Sequence, residues 1–309
     1  HPWGAQNDAQ GPGTGRSGSL TANVMTVADA LRDPRLRVPE YQRPYTWSTK
    51  NAVQLVEDIR RFRAAASYRI GTMIVHAEDA RVLEEAPSPP SRAYADFLLS
   101  RPDTAETAAI QQVIDGARET GARVHILHLS SARALDLIAD ARAEGLPVTV
   151  ETCPHYLHFT RDSACGELAK VNPPVRVKKD QDAMWQGILD GVVDTIGSDH
   201  VARKRETKMG GIWKATAGFP GTGTILPVLL HEGHKLRGIG PEVISAVTSR
   251  NVARLYHLHR KGDIAVGYDA DFAIVDPSLT RKVDPAVLES HSDYSPYEGE
   301  ALTGWPVAT

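Results

Sequence analysis

Three predicted strands end in side chains that can bind a metal ion. His76 lies in VHAED, His128 in HLSS and Asp199 in GSDH. Imidazole and carboxylate groups together suit zinc, and an open coordination position lets such a metal activate water. A lone histidine at a strand end is usually structural, whereas three strands of one sheet that each end in a ligand type favour a metal site. His76, His128 and Asp199 are therefore the predicted ligands.

Other polar residues near these strand ends leave two interpretations open. His155 in TCPHYL either lines a pocket or has a hydrogen-bonded structural role. Asn172 in KVNPPVR either binds an amide or imide edge through its donor and acceptor, or satisfies the backbone of a turn. His125 faces the opposite side of its strand from His128, which predicts packing against a helix. His200 is predicted to face away from the aspartate that precedes it.

The elements that position these residues alternate between strands and helices. After a strand at 68–76, the pattern predicts helix 104–121, strand 123–131, helix 132–145, strand 146–157, helix 182–191 and strand 192–200. Such alternation predicts a parallel sheet with crossover helices, and short apolar strands with polar ends are typical of a TIM-type barrel. A doubly wound sheet is the alternative, although no glycine-rich phosphate loop follows any of these strands. Farther on, the pattern predicts a helix at 241–258 and a β-hairpin at 261–277.

The composition is that of a globular protein without a strong electrostatic preference. The chain has 309 residues, 41% of them hydrophobic and 24% charged, with a formal net charge of -3. That charge gives no general attraction to nucleic acid or to an anionic membrane, and no apolar run is long enough to span one. Two cysteines without a paired spacing favour a reducing cytoplasm. Residues 1–22, rich in Gly, Gln, Asn and Ser, are predicted to be a disordered leader.

Eight motifs, in chain order, carry a family resemblance. They are VHAED, the helix with AETAAI, HILHLSS, VTVETCPHYL, KVNPPVR, IGSDH, GFPGTGTILPVLL and KGDIAVGYDADFAIVDP. Together they resemble the dihydroorotase, allantoinase and hydantoinase branch of the amidohydrolases over about residues 72–309. The resemblance implies a distorted TIM-type barrel with a small β-sandwich, and a binuclear zinc centre. It also implies hydrolysis of a small cyclic amide or ureide, in one branch within pyrimidine metabolism.

The resemblance assigns roles to particular residues. His76 and His128 match the two histidines that hold the second metal. Asp199 matches the catalytic aspartate that ligates the first metal and takes the proton from the bridging hydroxide. Asn172 matches a substrate-contacting loop position. His155 is a second candidate substrate-binding residue because one interpretation places it in the pocket lining, not because of the resemblance. The implied reaction is hydroxide attack on the ring carbonyl, with the proton passed through Asp199 to the leaving nitrogen.

The departures from the family pattern predict an impaired site. No HxH pair precedes His76, and nothing matches the carboxylated lysine that bridges the two metals. The expected result is at most partial, weak zinc binding with little or no turnover. Four parallel strands cannot close a barrel, so only its back half is expected.

A second resemblance occupies the place of the missing strands. VPEYQRPYTWSTKNAVQLVEDIRR and YRIGTMIV resemble the N-terminal domain of GmrSD-type restriction proteins, a ParB-like nucleotide-binding module. Gln42 and Arg43 are then candidate nucleotide-binding residues, although the later DGQQR motif of that family is absent. The alternative for YQRPYTW is an aromatic and proline plug that packs on a helix.

The two resemblances together give the predicted organisation. A leader at 1–22 precedes a partial GmrSD-like α+β segment at 23–75, the back half of an α/β barrel at 76–260 and a β-sandwich remnant at 261–309. The predicted function is metal-dependent hydrolysis of cyclic amides in the cytoplasm, with a homo-oligomer as one option and nucleic acid or membrane as disfavoured partners. The alternatives are a nucleotide- or DNA-associated restriction-type module, and a non-functional chimera.

Overall fold

The protein is represented by a computed structural model that describes residues 73–75, 78–88, 93–163 and 166–309. The side chains of 73–75 are not among those described. Several predicted features therefore lie outside the described residues: the leader at 1–22, the segment at 23–72, Gln42, Arg43 and His76.

Four short parallel strands form the sheet that carries the candidate site. They are β1 (Met73–Val75), β2 (Val124–Ile126), β3 (Val148–Thr152) and β4 (Thr195–Ile196), and they lie side by side in chain order. Their register pairs Met73 with Val124, Val124 with Val148 and Glu151 with Thr195. This arrangement confirms the predicted parallel α/β alternation, because each strand enters the sheet next to its predecessor.

Helices connect these strands and pack against the sheet. The first six are α1 (Ala80–Glu85), α2 (Tyr94–Leu99), α3 (Asp103–Thr120), α4 (Ala132–Ala143), α5 (Pro154–His158) and α6 (Lys178–Leu189). The α3 helix packs against α4 and β2, and α4 packs against β3. Gly121 ends α3 with a left-handed φ of 71°, as its position in the sequence predicts.

The longest helix shows why these elements form where they do. Ile110, Val113 and Ala117 recur at helical spacing in α3 and are buried. Glu106 lies on the same stripe, one turn before Ile110, and is fully buried. A carboxylate inside an apolar stripe is costly unless it is paired, so its partners have to be found.

The predicted strand at 146–157 is wrong at its C-terminal end. β3 ends at Thr152, and Pro154 begins α5. Proline suits the first position of a helix, since its φ is preset and that position needs no donor within the helix. His155 consequently lies in the first turn of a helix rather than at a strand end.

The C-terminal region has more irregular helices and a two-stranded sheet. α7 (Ile225–Val228) continues into a π-helical stretch (Leu229–Lys235), and α8 (Pro241–Ser245) continues through another (Ala246–Arg250) into α9 (Asn251–Leu255). Short 3₁₀ turns occupy Gly166–Ala169, Arg205–Lys208, Thr222–Thr224 and Pro285–Val287. β5 (Ile274–Lys282) pairs antiparallel with β6 (Ala301–Ala308).

This pairing corrects the predicted hairpin at 261–277. Residues 261–273 are not in a strand, and β5 instead pairs with a strand that begins 19 residues after it ends. Ile264 and Val266, which supplied the alternating pattern, are highly exposed. Alternation alone therefore misidentified the strand pair, because the true partner is distant in sequence.

His158 ties the C-terminal sheet to the barrel helices. Its ring bonds to Glu232 through Nδ1 at 2.9 Å and to Glu300 through Nε2 at 2.5 Å. Burial opposes the charge on this ring, but the hydrogen bonds to the two glutamates outweigh it and raise the pKa of His158 to about 9. Tyr297 and Trp305 also join the apolar cluster that includes residues of α2 and α5.

Candidate active site

Two predicted ligands share an uncommon backbone conformation at the same edge of the sheet. His128, just beyond β2, has φ of 39°, and Asp199, just beyond β4, has φ of 46°. A non-glycine residue in this left-handed region is strained, and such strain clusters at functional sites. Only five described non-glycine residues have it, and the other three lie near α9 or after β5.

β3 lies between the two strands that precede His128 and Asp199. Since neighbouring strands lie about 4.8 Å apart, the strand ends that carry His128 and Asp199 are roughly 10 Å apart at the carboxyl edge. In parallel α/β folds this edge is where binding sites form. The structure thus places both residues at the predicted edge.

Asp199 lies in a buried and electronegative environment. Burial, and then the charge of Glu151 on β3, raise the pKa of Asp199 to about 7. Gly197 makes room for the Glu151 side chain, because a Cβ there would lie 2.0 Å from Glu151 Oε1. Burial, and then the charges of Asp199 and Glu151, raise the pKa of the Cys153 thiol, which keeps it protonated as a small buried group.

His155 is a neutral, buried imidazole. It is 1% exposed, and burial lowers its pKa to about 3. Its ring lies edge-on to Tyr156 and Phe219, with centroids 4.1 and 5.0 Å away. Nε2 has no hydrogen-bond partner among the described residues. Both interpretations of His155 remain open, since it packs as a core residue yet keeps an unused polar atom.

The loop that carries Asn172 is held from two sides. The Tyr156 hydroxyl donates to the carbonyl of Pro173 at 2.7 Å, and the Val175 N–H donates to the Tyr94 hydroxyl at 2.9 Å. Asn172 Oδ1 is buried without a partner in the described structure. Both interpretations of Asn172 therefore remain open.

The connection after Asp199 is organised around a buried lysine. Lys208 is fully buried, and its ammonium donates to the carbonyls of Lys170, Thr216 and Gly218 at 2.9, 2.8 and 2.9 Å. It therefore joins the segment before Asn172 to the segment that leads into Phe219.

A buried ion pair between Glu106 and Arg176 was missed in the sequence. Arg176 Nη2 donates to Glu106 Oε2 at 2.9 Å, and the side chains are 7% and 0% exposed. The signal was available, since Glu106 interrupts the apolar stripe of α3. Its partner was not predictable, because Arg176 is 70 residues away along the chain.

His125 and His200 have structural contacts. His125 Nδ1 bonds to Thr149 Oγ1 at 2.9 Å, and its ring lies edge-on to Tyr256, which directly follows α9. His200 Nδ1 accepts from the N–H of Gly221 at 3.2 Å.

The described donors do not by themselves make a zinc site. Zinc sites use three or four protein ligands, and the chemistry of His128 and Asp199 suits this metal. Among the described residues, however, no group of three or more His, Cys, Asp or Glu side chains is arranged to hold a metal. The third predicted ligand, His76, lies outside the described residues.

Comparison with known proteins decides the family. The amidohydrolase family model matches residues 90–309, well over half of the chain. The chain belongs to the amidohydrolase family. It is 42% identical over 236 residues to an allantoinase of Streptomyces avermitilis and 38% identical over 244 residues to an allantoinase of Rubrobacter xylanophilus. These alignments cover 76% and 77% of this chain, but 53% and 54% of the relatives.

Solved structures agree with this assignment. An L-hydantoinase (dihydropyrimidinase) of Arthrobacter aurescens superposes with a TM-score of 0.74 at 31% identity, covering 84% of this amidohydrolase and 58% of that chain. A dihydropyrimidinase of Brevibacillus agri gives 0.72 at 29% identity, covering 82% and 57%. The chain spans about half the length of its curated relatives, and its fold is a partial TIM-type barrel as predicted.

A second family model covers the N-terminal part. The GmrSD restriction endonuclease N-terminal domain matches residues 27–118, which confirms the second resemblance. The two family matches overlap at residues 90–118. Most of α3 falls in this overlap, and its packing on β2 and α4 makes it a barrel helix. No helix among the described residues is long and apolar enough to cross a membrane.

Proposed function

We propose that this amidohydrolase is an impaired hydrolase of small cyclic ureides, the class to which allantoin and the hydantoins belong. The observation that carries the proposal is the pair of left-handed residues, His128 and Asp199, at the carboxyl ends of β2 and β4. An imidazole and a carboxylate held at this edge supply donors for a hard or borderline metal. The resemblance of the relatives over the same residues supports the substrate class.

Each candidate residue then has a distinct role. His128 and Asp199, with His76, would hold zinc, which supplies an activated water and polarises a carbonyl when it is bound. Asp199 is the proposed catalytic residue of this chain. Asn172 offers a buried acceptor for a ring N–H, and His155 contributes a neutral imidazole at the same edge.

The impairment follows from the number of donors. The resemblance divides the three candidate ligands between two metals, with His76 and His128 on one and Asp199 on the other, and the sequence has no match to the bridging lysine. Each zinc would therefore have fewer than the three protein ligands that a catalytic zinc site uses. Weak metal binding leaves most molecules without an activated water, so turnover is expected to be slow.

The direct test is hydrolysis of a small substrate panel. The full chain, purified with added zinc, is assayed with allantoin, hydantoin, dihydrouracil and dihydroorotate. The proposal predicts slow turnover of at least one, and its loss in Asp199→Ala. His259→Ala, a change at an exposed histidine, serves as the control and should leave turnover unchanged. Activity that survives Asp199→Ala, or no activity on any substrate, would contradict the proposal.

A second candidate function rests on the match of residues 27–118 to the restriction endonuclease domain. In this candidate the N-terminal segment binds a nucleotide through Gln42 and Arg43, and the barrel segment is a scaffold. GTP or ATP binding that Arg43→Ala abolishes would support it. Absence of detectable binding of either nucleotide would reject it. A chimera, the remaining alternative, is tested by reading the gene across residues 70–80 in independent samples.

A further inference from the structure

The turn that follows β2 is fixed by a buried carboxylate. Glu106 Oε1 accepts the Ser130 N–H at 2.7 Å, and Glu106 Oε2 accepts the Ser130 hydroxyl at 2.6 Å. Ser130 is two residues beyond His128, which has the strained left-handed backbone. Leu129, between His128 and Ser130, makes two hydrogen bonds to β3. Its N–H donates to the carbonyl of Glu151, and its carbonyl accepts from the Thr152 hydroxyl. The turn is therefore bonded on both sides.

Arg176 connects this turn to the proline loop. Its Nη2 bonds to Glu106, its Nε donates to the Ser130 hydroxyl at 2.8 Å, and its Nη1 donates to the Arg101 carbonyl at 3.3 Å. Arg176 is the last residue of the motif that contains Asn172. The Arg176 guanidinium thus contacts Glu106 of α3 and Ser130 of the turn, while Arg176 itself is the last residue of the loop that carries Asn172.

The network continues toward the segment after β1. Arg101 donates to both carboxylate oxygens of Glu78, from Nε at 3.0 Å and from Nη2 at 2.5 Å. Glu78 lies two residues beyond His76 in VHAED. The Arg101 carbonyl links the two ion pairs, so the network connects Glu78 to the segments that carry His128 and Asn172.

Stability alone is a weak reason for such a pair. Removing two charges from water is costly, and a buried ion pair is often no more stable than an apolar replacement. The pair instead fixes positions. The Arg176 guanidinium and the Glu106 carboxylate form several directed hydrogen bonds, which hold the segments that they contact in one arrangement. Residues that orient the ligands of a site act in this way.

We propose that Glu106 and Arg176 are positioning residues that hold the His128 turn and the Asn172 loop in fixed relation at the edge of the sheet. The functional meaning of this inference rests on the proposed function. The positions of the turn and the loop, however, can be measured without substrate or metal.

The test compares two charge-neutralising variants of similar chemistry. Glu106→Gln keeps the shape of the side chain but loses its charge. Asp194→Asn is the matched control. Asp194 lies just before β4, at the end of that strand opposite Asp199, where it pairs with Arg142 and accepts from the Val150 N–H in the middle of β3. Hydrogen exchange of the full chain is followed by mass spectrometry, together with the imidazole NMR signals of His128, assigned with His128→Gln.

The expected result is local. Glu106→Gln should speed exchange at least tenfold in peptides that cover 127–132 and 170–177, and should shift the His128 signals. Asp194→Asn should change exchange around residue 150 and leave both peptides within twofold of the unaltered chain. Arg176→Lys, which keeps the charge but loses the fork, should give an intermediate effect and serves if Glu106→Gln does not fold.

Two results would overturn the proposal. One is unchanged exchange in both peptides and unchanged His128 signals in Glu106→Gln, or in Arg176→Lys where that variant is used. The other is the same change in Asp194→Asn, which would reduce the pair to a general stabiliser. Absence of hydrolysis by the unaltered chain would reject the proposed function but would leave this comparison valid.

Discussion

Replacement of Lys208 by methionine tests how the connection after Asp199 is held. The ammonium is fully buried and donates to three carbonyls at 2.8–2.9 Å. Methionine fills a similar volume but donates nothing. The carbonyl of Lys170 keeps a second donor in the variant, because it also accepts from the Gly218 N–H at 3.0 Å. The carbonyls of Thr216 and Gly218 lose the Lys208 ammonium as their donor.

The magnitude follows from those two carbonyls. A buried acceptor that loses its donor costs about 1–3 kcal/mol, which gives roughly 2–6 kcal/mol for two. Methionine avoids the desolvation of an ammonium, which offsets part of this cost. A net loss of about 3 kcal/mol is expected, and for a chain of 309 residues that lowers Tm by roughly 5 °C.

Thermal unfolding followed by calorimetry or circular dichroism measures the effect. Lys214→Met is the control, because Lys214 lies in the same connection with an exposed side chain. Its Tm should stay within about 2 °C of the unaltered chain, as expected for surface changes. A Lys208→Met protein as stable as the control would refute the view that this ammonium holds the three segments together.

Three further changes test other contacts. The fold raises the pKa of His158 from 6.5 to about 9, so protonated His158 stabilises the protein by about 3 kcal/mol. This contribution is complete below pH 6.5 and is lost as the pH rises to 9. His158→Gln should therefore make the free energy of unfolding, measured with urea, less dependent on pH across this range. Gly197→Ala should lower Tm because the new Cβ meets the Glu151 carboxylate, and adding Glu151→Ala should restore part of the loss. Tyr94→Phe removes the acceptor of the buried Val175 N–H and should cost about 1–3 kcal/mol in urea unfolding.

Local patterns in the sequence were enough to predict α3, α4, α6 and the parallel order of the strands, but not α1, α2, α5 or α7. α3 combines an apolar stripe with a terminal glycine at 121, and both signals act within a few residues. Strand order follows from short crossover connections. The edge at which His128 and Asp199 lie follows from the same rule, since parallel strands have their carboxyl ends together.

The features that were missed depend on distant partners or on competing local signals. The predicted strand at 146–157 includes Pro154, although the fixed φ of proline favours the start of a helix. The hairpin at 261–277 failed because β5 pairs with β6 instead. Glu106 is visible as an anomaly in α3, but no local rule connects it to Arg176.

The central claim is that His128 and Asp199 belong to a metal site that is incomplete in this chain. Zinc content after purification with added zinc, measured before and after dialysis against a chelator, tests it most directly. The expected result is no more than one zinc per chain, removed by the chelator, with less bound in His128→Ala and in Asp199→Ala. Two zincs per chain that resist the chelator, or zinc binding that neither substitution reduces, would contradict the claim.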